Sequence, residues 1–385
     1  MEFGRLDVPC ECVDGQCRTP CEGSACPCEG SDCCFERVRT LKDAWGNVAA
    51  VAEGARLEGV FGGRLENVFQ GRWSGLFGGP LMSMSDFLDR EGRPVSLEQS
   101  GGSVEYARFR DGRFAVFEAA DNLTVYRRSG SDWIPFMTGM QGLHSEPVAP
   151  RFRAITRASD LRLYFVADRS RSIVQRTCVS DAPESSCDEE SDFSQEASSF
   201  FEDYVRVLDV RPDPTEGAED WVLASTDTSL AIAVEVLRGD SQWTTELAHG
   251  ASAGAFASAT ESEPRLFFTG VEEGTLWEAD ARTMGSEMRV AEDVAPAPSA
   301  IAATFFGGRQ YVAYPVVRGE HRSTRVRAED AGAWRVLTDL DNAPAEGLGT
   351  LPQFHVVDGA LYIITADGGD AGVHRLNAEA CFDGE

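Results

Sequence analysis

One large side chain that follows a short polar or glycine-containing turn recurs along the chain at intervals of about 45 to 60 residues. Between these marks lie runs rich in β-branched and aromatic residues, which are typical of strands. Self-similarity at this period indicates supersecondary units that stack on one another instead of separate domains. The recurring side chains are Trp73, Trp133, Phe193, Trp243, Met288, Trp334 and Phe382.

The clearest unit spans residues 104 to 136. Its strand-like runs are 104–109, 113–118, 123–127 and 133–136, and residues that favour turns separate them. Four such runs make an antiparallel meander, and a closed radial array of meanders is a β-propeller. The repeat therefore predicts an all-β fold, a seven-bladed β-propeller of four-stranded antiparallel blades with a small cysteine-rich segment at the N-terminus.

Small residues recur where the innermost strand of a unit is predicted. Inner strands crowd near the axis of a propeller, so alanine and glycine suit these positions. The residues concerned are Ala49, Ala50, 253–259 and 300–303.

The last unit lacks a fourth strand. After the runs 353–357, 361–365 and 373–376, the chain reaches Cys381 and stops. The strand-like run Phe35–Leu41 precedes the first full unit, and we expect it to complete the last blade and remove two open sheet edges. The predicted domains are therefore 1–34, a disulfide-linked segment, and 35–385, the propeller. The alternative is an edge that stays partly open.

Eight of the eleven cysteines lie within the first 34 residues. Three Gly-bearing loops share one spacing there, and the segment has too few apolar residues to build a core, so we expect disulfides to order it. The alternative is a thiolate site for Zn or Cu(I). The eight are Cys10, Cys12, Cys17, Cys21, Cys26, Cys28, Cys33 and Cys34.

The other three cysteines lie inside the repeats. Cys178 and Cys187 bracket an acidic insertion, which we expect them to close as a disulfide loop. Cys381 lies where the chain end should meet the incoming strand, so a bond to Cys33 or Cys34 would staple the ring. Because the total is odd, one thiol of the N-terminal group would be unpaired or intermolecular.

The charge of the chain makes some classes of partner and some cellular compartments unfavourable. It holds 63 acidic residues against 35 basic ones, a formal net charge of −28. Such a charge repels nucleic acid and anionic membranes, and no apolar run is long enough for a membrane span. With the disulfides, this predicts an extracellular or cell-surface protein whose leader is absent from the sequence, with the periplasm as the alternative. The near absence of lysine favours a GC-rich bacterial source.

One string has the form of a hydrolase nucleophile elbow. Gly250-Ala-Ser252-Ala-Gly254 follows His249, but the elbow needs a helix after its serine, and the residues that follow here have an inner-strand pattern. We therefore predict no catalytic role for Ser252. The histidines are scattered, and the acidic turns 339–346 and 367–370 lack the spacing of a calcium loop, so no metal ligand and no cofactor is predicted.

The turn from Ala328 to Trp334 resembles the Asp box of sialidase-like propellers. Asp330, Gly332 and Trp334 occupy the matching turn, but the leading Ser is Ala328 and the Gly to Trp spacing is one residue short. In that family the box is structural, so the resemblance implies a fold and no hydrolysis. More broadly, residues 35–385 resemble bacterial secreted or surface seven-bladed propeller-repeat proteins.

Function is expected on the face where successive units are joined, because loops there are long. The insertions 78–102 and 137–150 carry apolar residues, which could cap the axis or meet a partner. We expect a secreted, non-catalytic scaffold that engages a protein or glycan through this face. The alternatives are a polysaccharide hydrolase or lyase with carboxylates at the axis, and metal binding by the N-terminal cysteines.

Overall fold

In a computed structural model of the protein, the described residues lie almost entirely in strands and in short turns between them. The residues it describes are 12–13, 16–17, 34–41, 48–53, 56–61, 64–69, 104–109, 112–119, 122–129, 132–141, 152–156, 160–166, 173–179, 187, 193–197, 204–212, 220–228, 231–238, 245–246, 253–260, 263–269, 274–280, 286–295, 300–318, 321–337, 348–367, 370–377 and 381.

Five sheets are antiparallel meanders of four consecutive strands, and we number them sheets 2 to 6. Their strands are, for sheet 2, β7 (Val104–Phe109), β8 (Gly112–Ala119), β9 (Asn122–Ser129) and β10 (Asp132–Gln141); for sheet 3, β11 (Phe152–Thr156), β12 (Asp160–Val166), β13 (Ile173–Val179) and β14 (Phe193–Ala197); for sheet 4, β15 (Tyr204–Arg211), β16 (Trp221–Thr228), β17 (Ala231–Arg238) and β18 (Thr245–Glu246); for sheet 5, β19 (Gly254–Thr260), β20 (Glu263–Thr269), β21 (Leu276–Asp280) and β22 (Met288–Ala291); and for sheet 6, β23 (Ala302–Phe306), β24 (Arg309–Arg318), β25 (His321–Asp330) and β26 (Ala333–Val336).

Two further sheets have a different make-up, and a short hairpin precedes them. Sheet 1 has three strands, and sheet 7 takes its fourth strand from the N-terminal side of the chain. The hairpin is β1 (Cys12–Val13) and β2 (Gln16–Cys17); sheet 1 is β4 (Val48–Glu53), β5 (Arg56–Phe61) and β6 (Arg64–Phe69); sheet 7 is β27 (Thr350–Val357), β28 (Ala360–Asp367), β29 (Asp370–Leu376) and β3 (Phe35–Leu41).

The first strands of the sheets contact one another in chain order, and β27 contacts β4, so the sheets form a ring. The prediction of an all-β, propeller-like ring of small antiparallel sheets is confirmed. Of the seven four-stranded blades that were predicted, the described residues show five as meanders of four consecutive strands, while sheet 7 is composite and sheet 1 has three strands in these ranges. The fourth strand predicted for the first unit, near Trp73, lies outside the described residues.

Apolar clusters between neighbouring sheets hold the ring together. Both faces of a sheet in such a ring meet another sheet, so each face needs its own set of buried side chains. The clusters join sheets 2 and 3 around Phe114, 3 and 4 around Val207, 4 and 5 around Phe256, 5 and 6 around Val312, and 6 and 7 around Ile363. Leu57 joins the cluster of sheet 7 and so links it to sheet 1.

Close packing near the axis explains the small residues of the inner strands. At Gly254 an added Cβ atom would lie only 2.7 Å from Cδ2 of Leu223 in the neighbouring sheet. Ala253, Ala255 and Ala257 on the same segment are buried. Larger side chains here would push sheets 4 and 5 apart and widen the ring.

Hairpins in sheets 6 and 7 use two-residue turns with positive φ at both central residues. The turn after β25 has φ 50° at Ala331 and 82° at Gly332, and the turn after β27 has φ 47° at Asp358 and 74° at Gly359. Such turns match the twist of paired strands, and glycine takes the left-handed conformation at little cost. The turn that resembles an Asp box therefore joins a third strand to a fourth.

Four of the recurring large side chains of the sequence repeat lie within the described residues, and three of these four are packing residues. Trp133 and Phe193 are buried, and Trp334 packs against the cluster between sheets 5 and 6. Met288 is 59% exposed, and Val290 is buried in its place. A register shift between β21 and β22 puts a bulge at this point and changes which side chain faces the core.

The ring is closed by strand pairing and by a disulfide. Strand β3 pairs antiparallel with β29, and Cys34, just before β3, forms a disulfide with Cys381. The backbone N–H of Asn377 donates to the carbonyl oxygen of Cys34 at 2.9 Å, which fixes the two chain segments beside the bond. A second disulfide joins Cys178 and Cys187. Both bonds were expected from the sequence.

We predict that Cys34→Ala/Cys381→Ala lowers the free energy of unfolding by about 2–5 kcal/mol, because this bond closes a loop that spans nearly the whole chain. Cys178→Ala/Cys187→Ala is the matched control, since its loop is short and its loss should cost less. Urea unfolding followed by tryptophan fluorescence measures both. An equal loss in the two variants would contradict the staple.

Candidate functional site

Polar side chains meet where the inner strands of sheets 2, 3 and 4 approach the axis. Arg153 of β11 donates from Nη1 to Oε2 of Glu105 in β7 at 2.9 Å. It also donates to the carbonyl oxygen of Leu208 in β15, from Nε at 3.0 Å and from Nη2 at 2.7 Å. One guanidinium group therefore ties three successive sheets together.

Asp209 of β15 continues this chain of contacts into sheet 5. Its Oδ2 accepts from the backbone N–H of Phe256 at 2.8 Å, and its Oδ1 accepts from the N–H of Val210 at 2.9 Å. Nε of Arg153 lies 3.8 Å from Oδ1. Burial raises the pKa of Glu105 above its ordinary value, although Arg153 opposes this shift. The carboxylates near the axis are thus engaged in holding blades together.

Arg211, the last residue of β15, reaches furthest around the axis. Its Nη2 donates to the carbonyl oxygen of Phe256 in sheet 5 at 3.4 Å and to that of Ala303 in sheet 6 at 3.5 Å. Burial lowers the pKa of His355 in sheet 7, and the positive charge of Arg211 lowers it further, to about 4. We call Glu105, Arg153, Asp209, Arg211 and His355 the axial group.

A second network lies between sheets 3 and 4, away from the axis. Arg162 donates to both carboxylate oxygens of Asp160, at 3.2 and 3.1 Å, and from Nη1 to Oδ2 of Asp220 at 3.0 Å. The hydroxyl of Tyr164 also donates to Asp220, whose side chain is only 1% exposed. Burial, and then the charge of Asp220, raise the pKa of Tyr164, so it stays a donor.

A third network links sheets 5 and 6. Arg265 donates from Nη1 to Glu278 at 2.6 Å and to Glu329 at 3.2 Å, and Glu278 also accepts from Nε1 of Trp334 at 2.8 Å. The ring of Trp334 meets that of Phe267 edge to face at 5.3 Å. The tryptophan of the box-like turn is therefore an anchor between blades, which is a structural role.

The structure describes only part of the residues that the sequence singled out. Cys12 and Cys17 are register partners in the β1–β2 hairpin, and Cys34 is held in a disulfide and is no thiolate ligand. Asp367 and Asp370 pair across a hairpin. The predicted residues outside the described ranges are Cys10, Cys21, Cys26, Cys28, Cys33, His144, His249, Ser252, 78–102, 142–150 and 339–346.

The candidate elbow is followed by a strand. Ser252 itself is not described, but β19 begins at Gly254 and is the innermost strand of sheet 5. A nucleophile elbow needs a helix at this point. The local structure is therefore not that of a hydrolase elbow.

Two searches of the described residues gave negative results. No three His, Cys, Asp or Glu side chains within these ranges are arranged to hold a metal ion. Nor do these ranges contain a helix with the length and apolar character of a membrane span.

No protein-family model matches the chain, and no curated protein matches it. What the chain shares with other proteins is therefore read from its architecture.

We predict that Asp220→Ala lowers the free energy of unfolding by about 3–5 kcal/mol, because it leaves a partly buried Arg162 without one of its carboxylates and Tyr164 without its acceptor. Glu292→Ala is the control. Glu292 also pairs with an arginine, Arg289, but is 69% exposed, so its loss should change stability by about 0.5 kcal/mol or less. Equal effects in chemical denaturation would contradict the role of the network.

His374 makes the stability of sheet 7 depend on pH. Its imidazole is buried beside Arg37 of β3, over Gly372, where an added Cβ atom would lie 2.5 Å from Nε2 of His374. Burial first, and then the charge of Arg37, lower its pKa to about 3. Because an unfolded histidine has a pKa of about 6.5, protonation favours the unfolded chain.

We predict that the free energy of unfolding is highest above about pH 6.5 and falls as the pH decreases towards 3. Protonation of His374 should account for a loss of about 2 kcal/mol by pH 5. His374→Gln should flatten this dependence between pH 7 and 5, whatever its stability at pH 7. Denaturant titrations at both pH values measure the slope. An unchanged slope in the variant would show that His374 is not responsible.

Proposed function

We propose that the chain is a secreted or surface-exposed binding scaffold that engages a protein or glycan without catalysis. The observation that carries the proposal is the separation of a rigid ring from long connections. Glu105, Arg153 and Asp209 of the axial group, and the charged groups of the two networks between sheets, are engaged in contacts that join neighbouring blades. Function in such scaffolds concentrates on the loops that the rigid part presents.

We propose that the connections between successive sheets share one face. In each meander, the link to the next sheet and the link from second to third strand lie at the same end, because the strands alternate in direction. Residues 142–151 join sheets 2 and 3 on this face, which we call the linker face. The first-to-second hairpins lie at the opposite end, which we call the hairpin face.

We propose further that the ring has seven blades. Sheet 7, completed by β3, and sheet 1 lie in order between sheets 6 and 2 through contacts of their first strands. A fourth strand near Trp73 would complete sheet 1 and return the chain to the linker face. Residues 78–102 would then lie on that face as its largest insertion.

The disulfides support an exported protein. Both bonds are of the kind that persists in oxidising compartments outside the cytosol. We therefore propose an extracellular or cell-surface location and, with the repeat pattern, kinship with bacterial secreted propeller-repeat proteins.

We predict that replacing residues 78–102 with a short Gly-Ser linker abolishes binding to a glycan array that the full chain recognises, while the melting temperature stays within a few degrees. Replacing residues 282–285, between β21 and β22 at the hairpin end, with Gly-Ser residues of equal number is the control and should leave binding intact.

Retained binding without residues 78–102 would contradict their assignment to the binding face. Loss of binding in both variants would show that either change disturbs the ring. If the full chain recognises no glycan on the array, the glycan part of the proposal is wrong.

A further inference from the structure

The guanidinium group of Arg211 is incompletely used by the protein. Arg211 has a side chain that is 49% exposed although it reaches across the axis, from sheet 4 to carbonyl oxygens of sheets 5 and 6. Within the described residues only Nη2 donates hydrogen bonds. These two hydrogen bonds are long, at 3.4 and 3.5 Å. A guanidinium group has five N–H donors, so Nε–H and the two N–H groups of Nη1 stay available as separate donors.

The nearest carboxylate compensates little of this charge. Nε of Arg211 lies 3.8 Å from Oδ2 of Asp209, beyond hydrogen-bond distance. Asp209 already accepts two backbone N–H groups and lies near Arg153, which also holds Glu105. In the axial group, Arg153 therefore contacts the carboxylates of Glu105 and Asp209, while Arg211 lies near that of Asp209 alone.

His355 adds a second unsatisfied donor or acceptor on the same axis. Its Nε2 is buried and has no hydrogen-bond partner among the residues that the structure describes. His355 lies on the inner strand of sheet 7 and within the electric field of Arg211. An anion within reach of both groups would accept from the guanidinium group and from the N–H of the neutral imidazole.

Phe305 places an exposed aromatic ring near these groups. It lies two residues after Ala303 in β23, which is about 7 Å along a strand, and the carbonyl of Ala303 accepts from Arg211. Its side chain is among the exposed large apolar ones of the described chain. An apolar ring at this distance from a guanidinium group suits a sugar that carries a carboxylate, because the ring can cover one sugar face.

We infer that the axial end of the ring on the hairpin face binds the carboxylate of a hexuronate, held by Arg211 and His355, with Phe305 beside the sugar ring. The site lies at the end opposite to the linker face, so it does not depend on the proposed function. One carboxylate oxygen would accept from Nη1 of Arg211 and the other from Nε2 of His355, and a charge-assisted hydrogen bond of this kind is stronger than a neutral one. Binding would leave the hydrogen bonds of Arg153 in place.

The test is calorimetric titration of the full chain with glucuronate, in about 0.15 M salt so that the repulsion from the net charge is screened beyond about 8 Å. Glucose is the uncharged match for the sugar, and acetate is the match for the carboxylate. We expect glucuronate to bind at least tenfold more tightly than either. Equal binding of glucose or of acetate, or no binding of glucuronate, would overturn the assignment.

The variants are Arg211→Gln and, as a matched control, Arg335→Gln. Arg335 is also 49% exposed and lies 3.7 Å from a carboxylate, that of Asp330, but on an outer strand. We expect Arg211→Gln to weaken glucuronate binding at least tenfold and Arg335→Gln to change it less than twofold. Equal losses would show a general charge effect and would refute the site.

A second readout follows His355 itself. Bound glucuronate places a negative charge beside the imidazole, so it should raise the pKa of His355 from about 4. Imidazole NMR signals of the full chain, assigned by comparison with His355→Gln, measure the shift. A pKa of His355 that glucuronate leaves unchanged would exclude this residue from the site.

Discussion

The fold depends on the need of every sheet to have a neighbour on each face. Apolar side chains project from both faces, so a sheet at the end of an open row would expose one cluster to water. A ring removes this exposure because the last sheet meets the first, as Leu57 does when it packs with Val373. Burial of both faces of every sheet thus requires a closed ring. The pairing of β3 with β29 brings an early and a late segment of the chain together in sheet 7.

Polar groups supplement this apolar packing at the places where sheets converge. Arg153, Arg162 and Arg265 each contact two acidic residues, and arginine suits the role because its planar fork can bind two partners at once. These contacts fix the relative position of sheets that only side chains connect. Nearly all basic residues of this chain are arginine, and several of them therefore serve to hold sheets together.

Much of the architecture could be predicted from the sequence, because it follows from local pattern and period. Strands of sheets 2, 5 and 6 lie where alternating runs and turn residues placed them, and Cys381 pairs with one of the two cysteines expected. Met288 begins the fourth strand of sheet 5, but its exposure could not be predicted, since a bulge interrupts the alternation and no residue type marks it. Sheet 1 has three strands within the described ranges, and the fourth strand predicted near Trp73 lies outside them.

The axial group could not be predicted, since its members come from different repeats. Glu105 and Arg153 are 48 residues apart, and their contact depends on how far each inner strand is shifted along the axis. No local signal distinguishes Arg211 from other arginines near the end of a strand. A search for charged residues at equivalent places in successive inner strands would have found the group once the strands were aligned.

The bond between Cys34 and Cys381 makes the ring a covalent circle as well as a geometric one. The backbone from residue 34 to residue 381 and the disulfide form one macrocycle. A single proteolytic cut in any loop between these residues would leave one connected molecule with new ends, equivalent to a circular permutant. Two cuts, or one cut and a reductant, are needed to separate the chain into pieces, which is a useful property for a protein exposed to proteases.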